Sequence, residues 1–134
     1  MQRSRVTPAV KSTTKVLIAE DHEDSREALK ALLEAFGFEV VEAVNGKDAV
    51  EKATTETPRI ILMDIMMPEM DGFEAIRRVR EMLAAHNVHI IAVTAMDGAH
   101  TLALEAGAND FVKKPVDIRK LIGKINAWAA TEAR

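Results

Sequence analysis

Three short apolar runs of this 134-residue chain each end in side chains that can do chemistry. These side chains are three acids and a hydroxyl, namely Glu20, Asp21, Asp64 and Thr94. Because ligands of open α/β sheets bind beyond the carboxyl ends of parallel strands, we expect all of them to share one crevice. Three carboxylates there repel one another by about 4 kcal/mol for each pair 4 Å apart at an effective dielectric of 20. The crevice therefore requires a cation, and a hard divalent ion such as Mg²⁺ suits carboxylate oxygens.

The rest of the sequence supplies elements that would position these side chains. Short apolar runs typical of buried strands alternate with helical patterns. The predicted strands are β1 (16–19), β2 (39–43), β3 (60–63), β4 (90–94) and β5 (111–112), and the predicted helices are α1 (24–36), α2 (47–55), α3 (73–84), α4 (97–106) and α5 (117–130). Strands that each precede a helix predict one parallel sheet with right-handed crossovers and helices on both faces. The expected fold is α/β and flavodoxin-like, a five-stranded parallel sheet in the order 2-1-3-4-5.

Helical spacing of apolar residues predicts the buried face of each helix. The expected inward residues are Leu29, Leu32, Leu33 and Phe36 in α1, Ala49, Val50 and Ala53 in α2, Ile76, Val79 and Leu83 in α3, Leu102, Ala103 and Ala106 in α4, and Ile118, Leu121, Ile122, Ile125 and Trp128 in α5. Arg77, Arg78 and Arg80 are expected to form a solvated face of α3, which Asp71 would cap. Gly123 lies inside α5, where glycine costs about 1 kcal/mol relative to alanine unless close packing offsets it.

The charge of the chain is unevenly distributed. Residues 1–14 contain three basic side chains and no acid, so residues 15–134 hold 15 basic against 21 acidic side chains, a net charge of −6. An acidic body argues against binding to nucleic acid, because nonspecific affinity for DNA comes mainly from Lys and Arg on phosphates. The basic segment 1–14 has too few apolar residues to fold alone. We expect it to be a flexible tail or linker before one domain over 15–130 and a short tail over 131–134.

The sequence also bears on the cellular compartment and on membrane association. No apolar stretch approaches the roughly 20 residues that cross a bilayer, and the N-terminus lacks the apolar centre of a signal peptide. The chain contains no cysteine, which suits the reducing cytoplasm. The sequence therefore predicts a cytoplasmic protein without a membrane partner.

Five short motifs, in this order, resemble the receiver domain of two-component response regulators. They are Glu20-Asp21, Asp64 with Met67-Pro68, Asp71-Gly72, Thr94-Ala95 and Lys114-Pro115. The resemblance runs from about residue 15 to residue 128. Each motif is weak alone, and the ordered set is highly specific. The resemblance also implies a cis peptide bond between Lys114 and Pro115, although most X-Pro bonds are trans.

The resemblance implies how the crevice is used. Asp64 would be the phosphoacceptor, Lys114 its cationic partner, and the Thr94 hydroxyl with the Ala95 backbone N–H would bind phosphoryl oxygens. Magnesium, or manganese in its place, would be held by the carboxylates and a backbone carbonyl, a set made of Glu20 (directly or through water), Asp21, Asp64 and Met66. The family's chemistry agrees with phosphoryl transfer, which needs positioning and charge compensation more than acid-base groups.

The resemblance also implies a switch. Thr94 would be the switch hydroxyl and Phe111 the switch aromatic, and together they would change the surface formed by α4, β5 and α5 after phosphorylation. A downstream protein target, or a second copy of the domain, would bind there. The positions two residues after Asp64 and after Thr94, Met66 and Met96, would tune the phosphate lifetime. Neither offers an amide or acid that orients water, so we expect a persistent phosphate.

The expected phosphoryl donor is a phosphohistidine on a histidine kinase or a histidine phosphotransfer protein, as the resemblance implies. The sequence has no G-x-x-x-x-G-K-S/T motif and no G-x-G-x-x-G turn, so no nucleotide site is indicated. The chain would then not be an enzyme acting on other molecules. It would catalyse only its own phosphorylation and dephosphorylation.

Several alternatives remain open. A stand-alone receiver is the favoured interpretation, and a receiver excised from a hybrid histidine kinase or a multidomain regulator is the second. A metal-dependent phosphohydrolase is a further alternative, but a second strand-end acid pair for acid-base catalysis is missing. An FMN-binding electron carrier shares the fold, but Glu20-Asp21 occupies the turn where phosphate needs backbone N–H donors.

Two other sets of residues are conspicuous by type. Four methionines near Asp64 resemble a soft-metal cluster, namely Met63, Met66, Met67 and Met70, but hard carboxylates dominate that neighbourhood and disfavour copper. The histidines have no paired metal-ligand spacing and are expected to face solvent or cap helices, and they are His22, His86, His89 and His100.

Overall fold

A computed structural model describes residues 14–83 and 87–132. The strands are β1 (Lys15–Ala19), β2 (Glu39–Ala43), β3 (Ile60–Asp64), β4 (His89–Thr94) and β5 (Asp110–Lys113), and the helices are α1 (Glu23–Ala35), α2 (Gly46–Thr55), α3 (Gly72–Met82), α4 (Ala99–Ala106) and α5 (Ile118–Glu132). All strand pairs are parallel, and the sheet order is β2-β1-β3-β4-β5. The predicted fold class and order are confirmed. The first thirteen residues of the expected tail, the last two residues of the chain, Ala84 and His86 lie outside the described residues.

The three central strands are buried along almost their whole length. Each residue of β3 is buried, as are all but the first residues of β1 and β4. Parallel strands covered by helices on both faces are expected to read as continuous apolar runs, and these strands do. Their register places Ala19 beside Met63, and Asp64 beside Val93. The carboxyl ends of the strands are therefore level at one edge of the sheet.

Two apolar cores lie on opposite faces of the sheet. One is formed with α2, α3 and α4 through residues such as Ala49, Ile76 and Ala103. The other is formed with α1 and α5 through residues such as Leu33 and Leu121. This arrangement of three helices on one face and two on the other leaves the strand ends uncovered. No helix in the described ranges is long and apolar enough to cross a membrane.

Three residues predicted to face inward are exposed. Leu32, Phe36 and Leu102 are 45%, 48% and 50% exposed. Leu32 precedes the fully buried Leu33 by one residue, which rotates its side chain about 100° around α1, away from the sheet. Phe36 is the C-cap of α1 and lies beyond its last turn. The predicted inward positions of these three residues are wrong.

Helix α4 packs on the sheet through small side chains. Its buried residues are Ala99, Ala103 and Ala106. Alanines let the helix axis approach the sheet closely, and this row points Leu102 outward. The apolar stripe is therefore narrower than the sequence predicted, with little apolar area holding α4 in place.

Arg80 does not belong to the solvated face of α3. Its guanidinium donates hydrogen bonds to the carbonyl oxygens of Gly107 and Val88, each at 2.8 Å, and to Asn109 Oδ1 at 2.5 Å. Burial lowers the pKa of Arg80, and these oxygens compensate the buried charge. The predicted solvated position is wrong, because Arg80 joins the C-terminal end of α4 to the residues just before β4 and β5.

The other two arginines and the cap of α3 agree with the sequence. Arg77 and Arg78 have more than half of their side chains exposed and pair with Glu74 at 3.4 Å and 2.9 Å. Asp71 Oδ1 accepts a hydrogen bond from the Glu74 backbone N–H at 3.0 Å. The predicted cap is confirmed.

Replacing Gly123 with alanine is expected to stabilise the protein by about 0.5 to 1 kcal/mol, since glycine inside a helix costs that much relative to alanine. A Cβ at this position meets nothing within 4 Å, so close packing does not oppose the substitution. Urea unfolding would measure the change. Gly107→Ala is the control and should destabilise, because its φ is +119° and its Cβ would lie 2.7 Å from Arg80 Cγ. An unchanged or lower unfolding midpoint for Gly123→Ala would contradict the prediction.

Candidate functional site

Lys114 joins two carboxylates at the carboxyl edge of the sheet. Its Nζ donates to Glu20 Oε1 at 2.9 Å and to Asp64 Oδ2 at 3.2 Å. Glu20 directly follows β1, Asp64 ends β3, and Lys114 directly follows β5. The structure thus brings Lys114 together with two acids that are 50 and 94 positions away from it in sequence.

The crevice is buried although its side chains are ionisable. Glu20, Asp64 and Thr94 are 6%, 4% and 0% exposed. A buried carboxylate is costly unless it is paired and hydrogen-bonded. Besides Lys114, Asp64 Oδ1 accepts the Met66 backbone N–H at 3.2 Å. Glu20 Oε2 accepts the His22 backbone N–H at 3.0 Å.

These contacts separate the titration of the two acids. Burial and the charge of Glu20 raise the pKa of Asp64 to about 6, although Lys114 opposes the shift. Burial also raises the pKa of Glu20, but the hydrogen bonds from Lys114 and His22 outweigh it and lower the pKa to about 2. Burial lowers the pKa of Lys114, and the two carboxylates more than offset this, so its pKa is raised. At pH 7 Glu20 is ionised, Lys114 is protonated, and Asp64 is mostly ionised.

Asp64→Asn is expected to stabilise the metal-free protein above pH 6. Folding raises the pKa of Asp64 from 3.8 to about 6, so the folded protein binds this proton more tightly than the unfolded chain does. The ionised group therefore disfavours folding above pH 6, and the penalty disappears as the pH falls towards 4. Since one pKa unit corresponds to about 1.4 kcal/mol, the gain is about 1 to 3 kcal/mol at pH 7.

Urea unfolding of both proteins between pH 4 and 8 in EDTA would measure this gain. Asp97→Asn is the matched control, because Lys113 lowers the pKa of the exposed Asp97 carboxyl, which is the opposite direction. That substitution should not stabilise the fold. A gain for Asp64→Asn that is constant with pH would contradict the electrostatic account.

Asp21 has the character of a metal ligand. Its Oδ1 is buried and accepts no hydrogen bond within the described residues, a condition that a bound cation relieves. Donor atoms of Glu20, Asp21 and His22 lie within 4.8 Å of one another. Asp64 is not in this group, and Lys114 bonds its carboxylate. The residues present fit a divalent metal, and Asp64 is joined to Glu20 through the Lys114 amine.

Thr94 lies at the end of β4, and its Oγ1 accepts the Met96 backbone N–H at 3.1 Å. Ala95 follows it and is exposed at the crevice mouth. Met66 and Met96 are 58% and 36% exposed. Because Val93 is paired with Asp64 in the sheet register, the buried Thr94 hydroxyl and the exposed Ala95 directly follow the strand position beside Asp64.

Phe111 lies on β5 and is half-buried. Its ring stacks on His100 of α4, with centroids 5.3 Å apart and planes at 20°. Phe111 is paired with Ala92 in the sheet register, two residues before Thr94. The aromatic residue is thus in contact with α4 and near, but not in, the acidic crevice.

Gly72 holds the loop that follows Asp64. Its backbone N–H donates to the Ile65 carbonyl at 2.9 Å. A Cβ at position 72 would meet the Asp64 carbonyl oxygen and lie 2.6 Å from Ile65 Cα. The sequence predicted a turn here but not this close approach.

The Lys114–Pro115 bond is cis, as the resemblance implied.

His22 is the residue near the site that sequence reasoning missed. It is the N-cap of α1 without a side-chain capping bond, and its Nδ1 lies 3.3 Å from Glu20 Oε2. Paired histidine spacing could not reveal it, since its neighbours are acids. Its position directly after Glu20-Asp21 was the available signal. Of the other histidines, His100 is exposed, and His89 stacks on Trp128 at 5.2 Å.

The sequence profile described as the response regulator receiver domain matches residues 16–126. The chain belongs to this family. The resemblance found in the five motifs is therefore confirmed, and it extends over most of the receiver domain that the structure describes.

Two relatives differ in how much of their length the receiver domain covers. An uncharacterised 14.6 kDa protein of Leptolyngbya boryana is 40% identical over 115 residues, which cover 84% of this chain and 88% of that protein. The response regulator PleD of Caulobacter vibrioides is 34% identical over 117 residues, which cover 86% of this chain and 26% of PleD. The receiver domain thus spans about a quarter of PleD and most of the other relative.

A solved complex contains a similar receiver domain. It is the co-crystal structure of the Saccharomyces cerevisiae histidine phosphotransfer signaling protein Ypd1 with the receiver domain of its downstream response regulator Ssk1. The TM-score is 0.84 at 28% identity, over 90% of this chain and 92% of that chain.

Proposed function

We propose that Asp64 accepts a phosphoryl group from a phosphohistidine and that the acyl phosphate switches the surface of α4, β5 and α5. The observation that carries the proposal is the position of Asp64. This carboxylate is buried at the carboxyl edge of the sheet, is held by Lys114 and the Met66 backbone N–H, and lies beside two further acids. Its pKa of about 6 keeps it mostly in the nucleophilic, ionised form at pH 7.

In the proposed step, an Asp64 carboxylate oxygen attacks phosphorus in line with the donor imidazole. The bond from phosphorus to the donor nitrogen breaks, and that nitrogen leaves with the electron pair and takes up a proton. Negative charge is spread over the three equatorial oxygens during the transfer. Lys114 would bind one of these oxygens, and the Thr94 hydroxyl with the Ala95 backbone N–H would bind another.

Magnesium would be held by Asp21, Asp64 and the Met66 carbonyl, with Glu20 acting directly or through water. When bound, it supplies positive charge for a phosphoryl oxygen and offsets the repulsion among the carboxylates. Manganese would serve the same purpose. The buried Asp21 Oδ1, which accepts no hydrogen bond within the described residues, supports this assignment.

The donor would be a histidine kinase or a histidine phosphotransfer protein. The Ypd1 complex with the Ssk1 receiver domain supports this class of partner. The receiver would act in the reducing cytoplasm, where a chain without cysteine is at no disadvantage. It would turn over only the phosphoryl group on its own Asp64.

The switch would begin at Thr94. Phosphate on Asp64 adds charge and acceptor oxygens, which would draw the Thr94 hydroxyl away from the Met96 N–H that it now accepts. Phe111 would then leave His100 and fill the space that Thr94 vacates. Because the buried residues of α4 are all alanines, the helix can follow once Phe111 has left His100, and the partner surface changes.

Incubation with Mg²⁺ and acetyl phosphate, followed by intact mass spectrometry, tests the proposal. One phosphate adduct is expected on the wild type and on Asp97→Asn, and none on Asp64→Asn. An adduct of equal yield on Asp64→Asn would overturn the assignment. The same reaction without Mg²⁺ should give little product.

Met66→Asn is expected to shorten the lifetime of the phosphate by about 10-fold, because an exposed amide there can orient an attacking water. Well-positioned groups of this kind contribute about 10²-fold or more to a rate. Met66 is 58% exposed, so the substitution leaves the core intact. The measurement is the decay of the adduct after removal of the phosphodonor. Met82→Asn, an exposed methionine at the end of α3, is the control. Equal decay in Met66→Asn and the wild type would contradict the prediction.

A further inference from the structure

His22 lies against the two acids that follow β1. Its Nδ1 is 3.3 Å from Glu20 Oε2 and 3.5 Å from Asp21 Oδ1. One ligand atom from each of the three residues lies within 4.8 Å of the others. The site at this end of the crevice thus offers one nitrogen and two oxygens, where only oxygen ligands were expected.

These separations suit ligands of one metal ion. Octahedral bonds of 2.0 to 2.1 Å place neighbouring ligand atoms about 3 Å apart and opposite ones about 4.2 Å apart. The two distances from His22 Nδ1 to the carboxylate oxygens exceed the separation of adjacent octahedral ligands by a few tenths of an ångström. Small rotations of the side chains would bring all three donors to one ion.

The surroundings permit this rotation. The His22 side chain is 75% exposed, and it makes no capping hydrogen bond to α1. The Glu20 carboxylate already divides its two oxygens, with Oε1 accepting from Lys114 and Oε2 accepting the His22 backbone N–H. A metal on the Oε2 side therefore leaves the contact with Lys114 in place. The Asp21 Oδ1, which is buried and accepts no hydrogen bond in the described residues, is the third donor.

We propose that His22 is a nitrogen ligand of this metal site and makes the receiver select divalent transition metals over magnesium. Imidazole suits first-row ions such as Mn²⁺, Co²⁺, Ni²⁺ and Zn²⁺, whose affinities for nitrogen sites exceed that of Mg²⁺, while Mg²⁺ favours oxygens and retained water. The inference rests on the proposed use of Glu20 and Asp21 as metal ligands. It does not depend on the phosphoacceptor role of Asp64.

Titration calorimetry at constant pH with Ni²⁺ and with Mg²⁺ tests the selectivity. His22→Ala is expected to lower Ni²⁺ affinity by at least about 10-fold, since even outer-shell changes at metal sites cost 10- to 100-fold. Its Mg²⁺ affinity should stay within about twofold of the wild type, because Mg²⁺ takes oxygen ligands. His22→Gln, which keeps the side-chain length, should behave as His22→Ala does. His100→Ala removes another exposed histidine and is the matched control.

A direct readout of the ligand is nitrogen modulation in pulsed electron paramagnetic resonance of bound Mn²⁺. Modulation is expected in the wild type and in His100→Ala, and not in His22→Ala. The proposal is overturned if His22→Ala loses Ni²⁺ and Mg²⁺ affinity by the same factor or loses neither. It is also overturned if the nitrogen modulation of bound Mn²⁺ survives in His22→Ala. Ni²⁺ affinity that survives in Asp21→Asn would overturn it too. Both readouts are made without a phosphodonor, so a failure of the phosphoacceptor assignment, which is an adduct on Asp64→Asn, is distinguishable from a failure of this one.

Discussion

Asp21→Asn is expected to lower the rate of phosphate uptake on Asp64 by about 100-fold at fixed Mg²⁺, the size typical of losing one preorganised electrostatic contact. Asp21 is a half-buried acid whose Oδ1 has no hydrogen-bond donor among the described residues. An amide there keeps the shape but removes the charge that attracts the metal. The negative charges of Glu20 and Asp64 then repel the incoming phosphoryl oxygens without a compensating cation.

The measurement is the initial rate of adduct formation, by intact mass, over a range of Mg²⁺ concentrations. High Mg²⁺ should recover part of the lost rate, because the defect lies in metal affinity. Asp24→Asn removes the same charge from an exposed position in the first turn of α1 and should change the rate little. Equal losses in both variants would show that only the overall charge matters. An unaffected rate in Asp21→Asn would remove Asp21 from the metal site.

Gly72→Ala is expected to destabilise the protein by about 3 kcal/mol, at the upper end of the cost of overpacking. The added Cβ would meet the Asp64 carbonyl oxygen and lie 2.6 Å from Ile65 Cα. Both are backbone atoms of the strand end that presents the phosphoacceptor, and they move only if the loop moves. The same substitution should therefore slow phosphate uptake as well as lower stability.

Urea unfolding and adduct formation would be compared in Gly72→Ala and in Gly123→Ala. The second variant makes the same chemical change where a Cβ meets nothing within 4 Å, and it should gain stability and keep the wild-type rate. A stability loss below about 0.5 kcal/mol in Gly72→Ala, the usual range of surface substitutions, would contradict the close approach.

The sheet and the position of the site could be predicted from sequence because both depend on local patterns. Uninterrupted apolar runs identify the buried parallel strands, and the residue after each run must lie at the carboxyl edge. That reasoning placed Glu20 and Asp64 in one crevice, and the resemblance added Lys114, which contacts both acids. The cap at Asp71 followed from residue type in the same way.

Contacts between distant segments could not be predicted. Arg80 bonds Gly107, 27 residues away, and nothing near Arg80 in sequence separates it from the exposed Arg77 and Arg78. Periodicity shows that one face of a helix is apolar but not which of two adjacent leucines points to the sheet, as Leu32 and Leu33 illustrate. His22 likewise became notable only when its distance from the acids was known.

The phosphoacceptor itself is tested most directly by trapping. Borohydride reduces an acyl phosphate of aspartate to homoserine, so protein treated with Mg²⁺ and acetyl phosphate, then reduced and digested, carries a mark at the modified residue. Peptide mass spectrometry should find homoserine at position 64, and Asp64→Asn should give none at any position. Homoserine at position 21 instead, or unreduced aspartate at position 64 in protein that carries the phosphate adduct, would contradict the account.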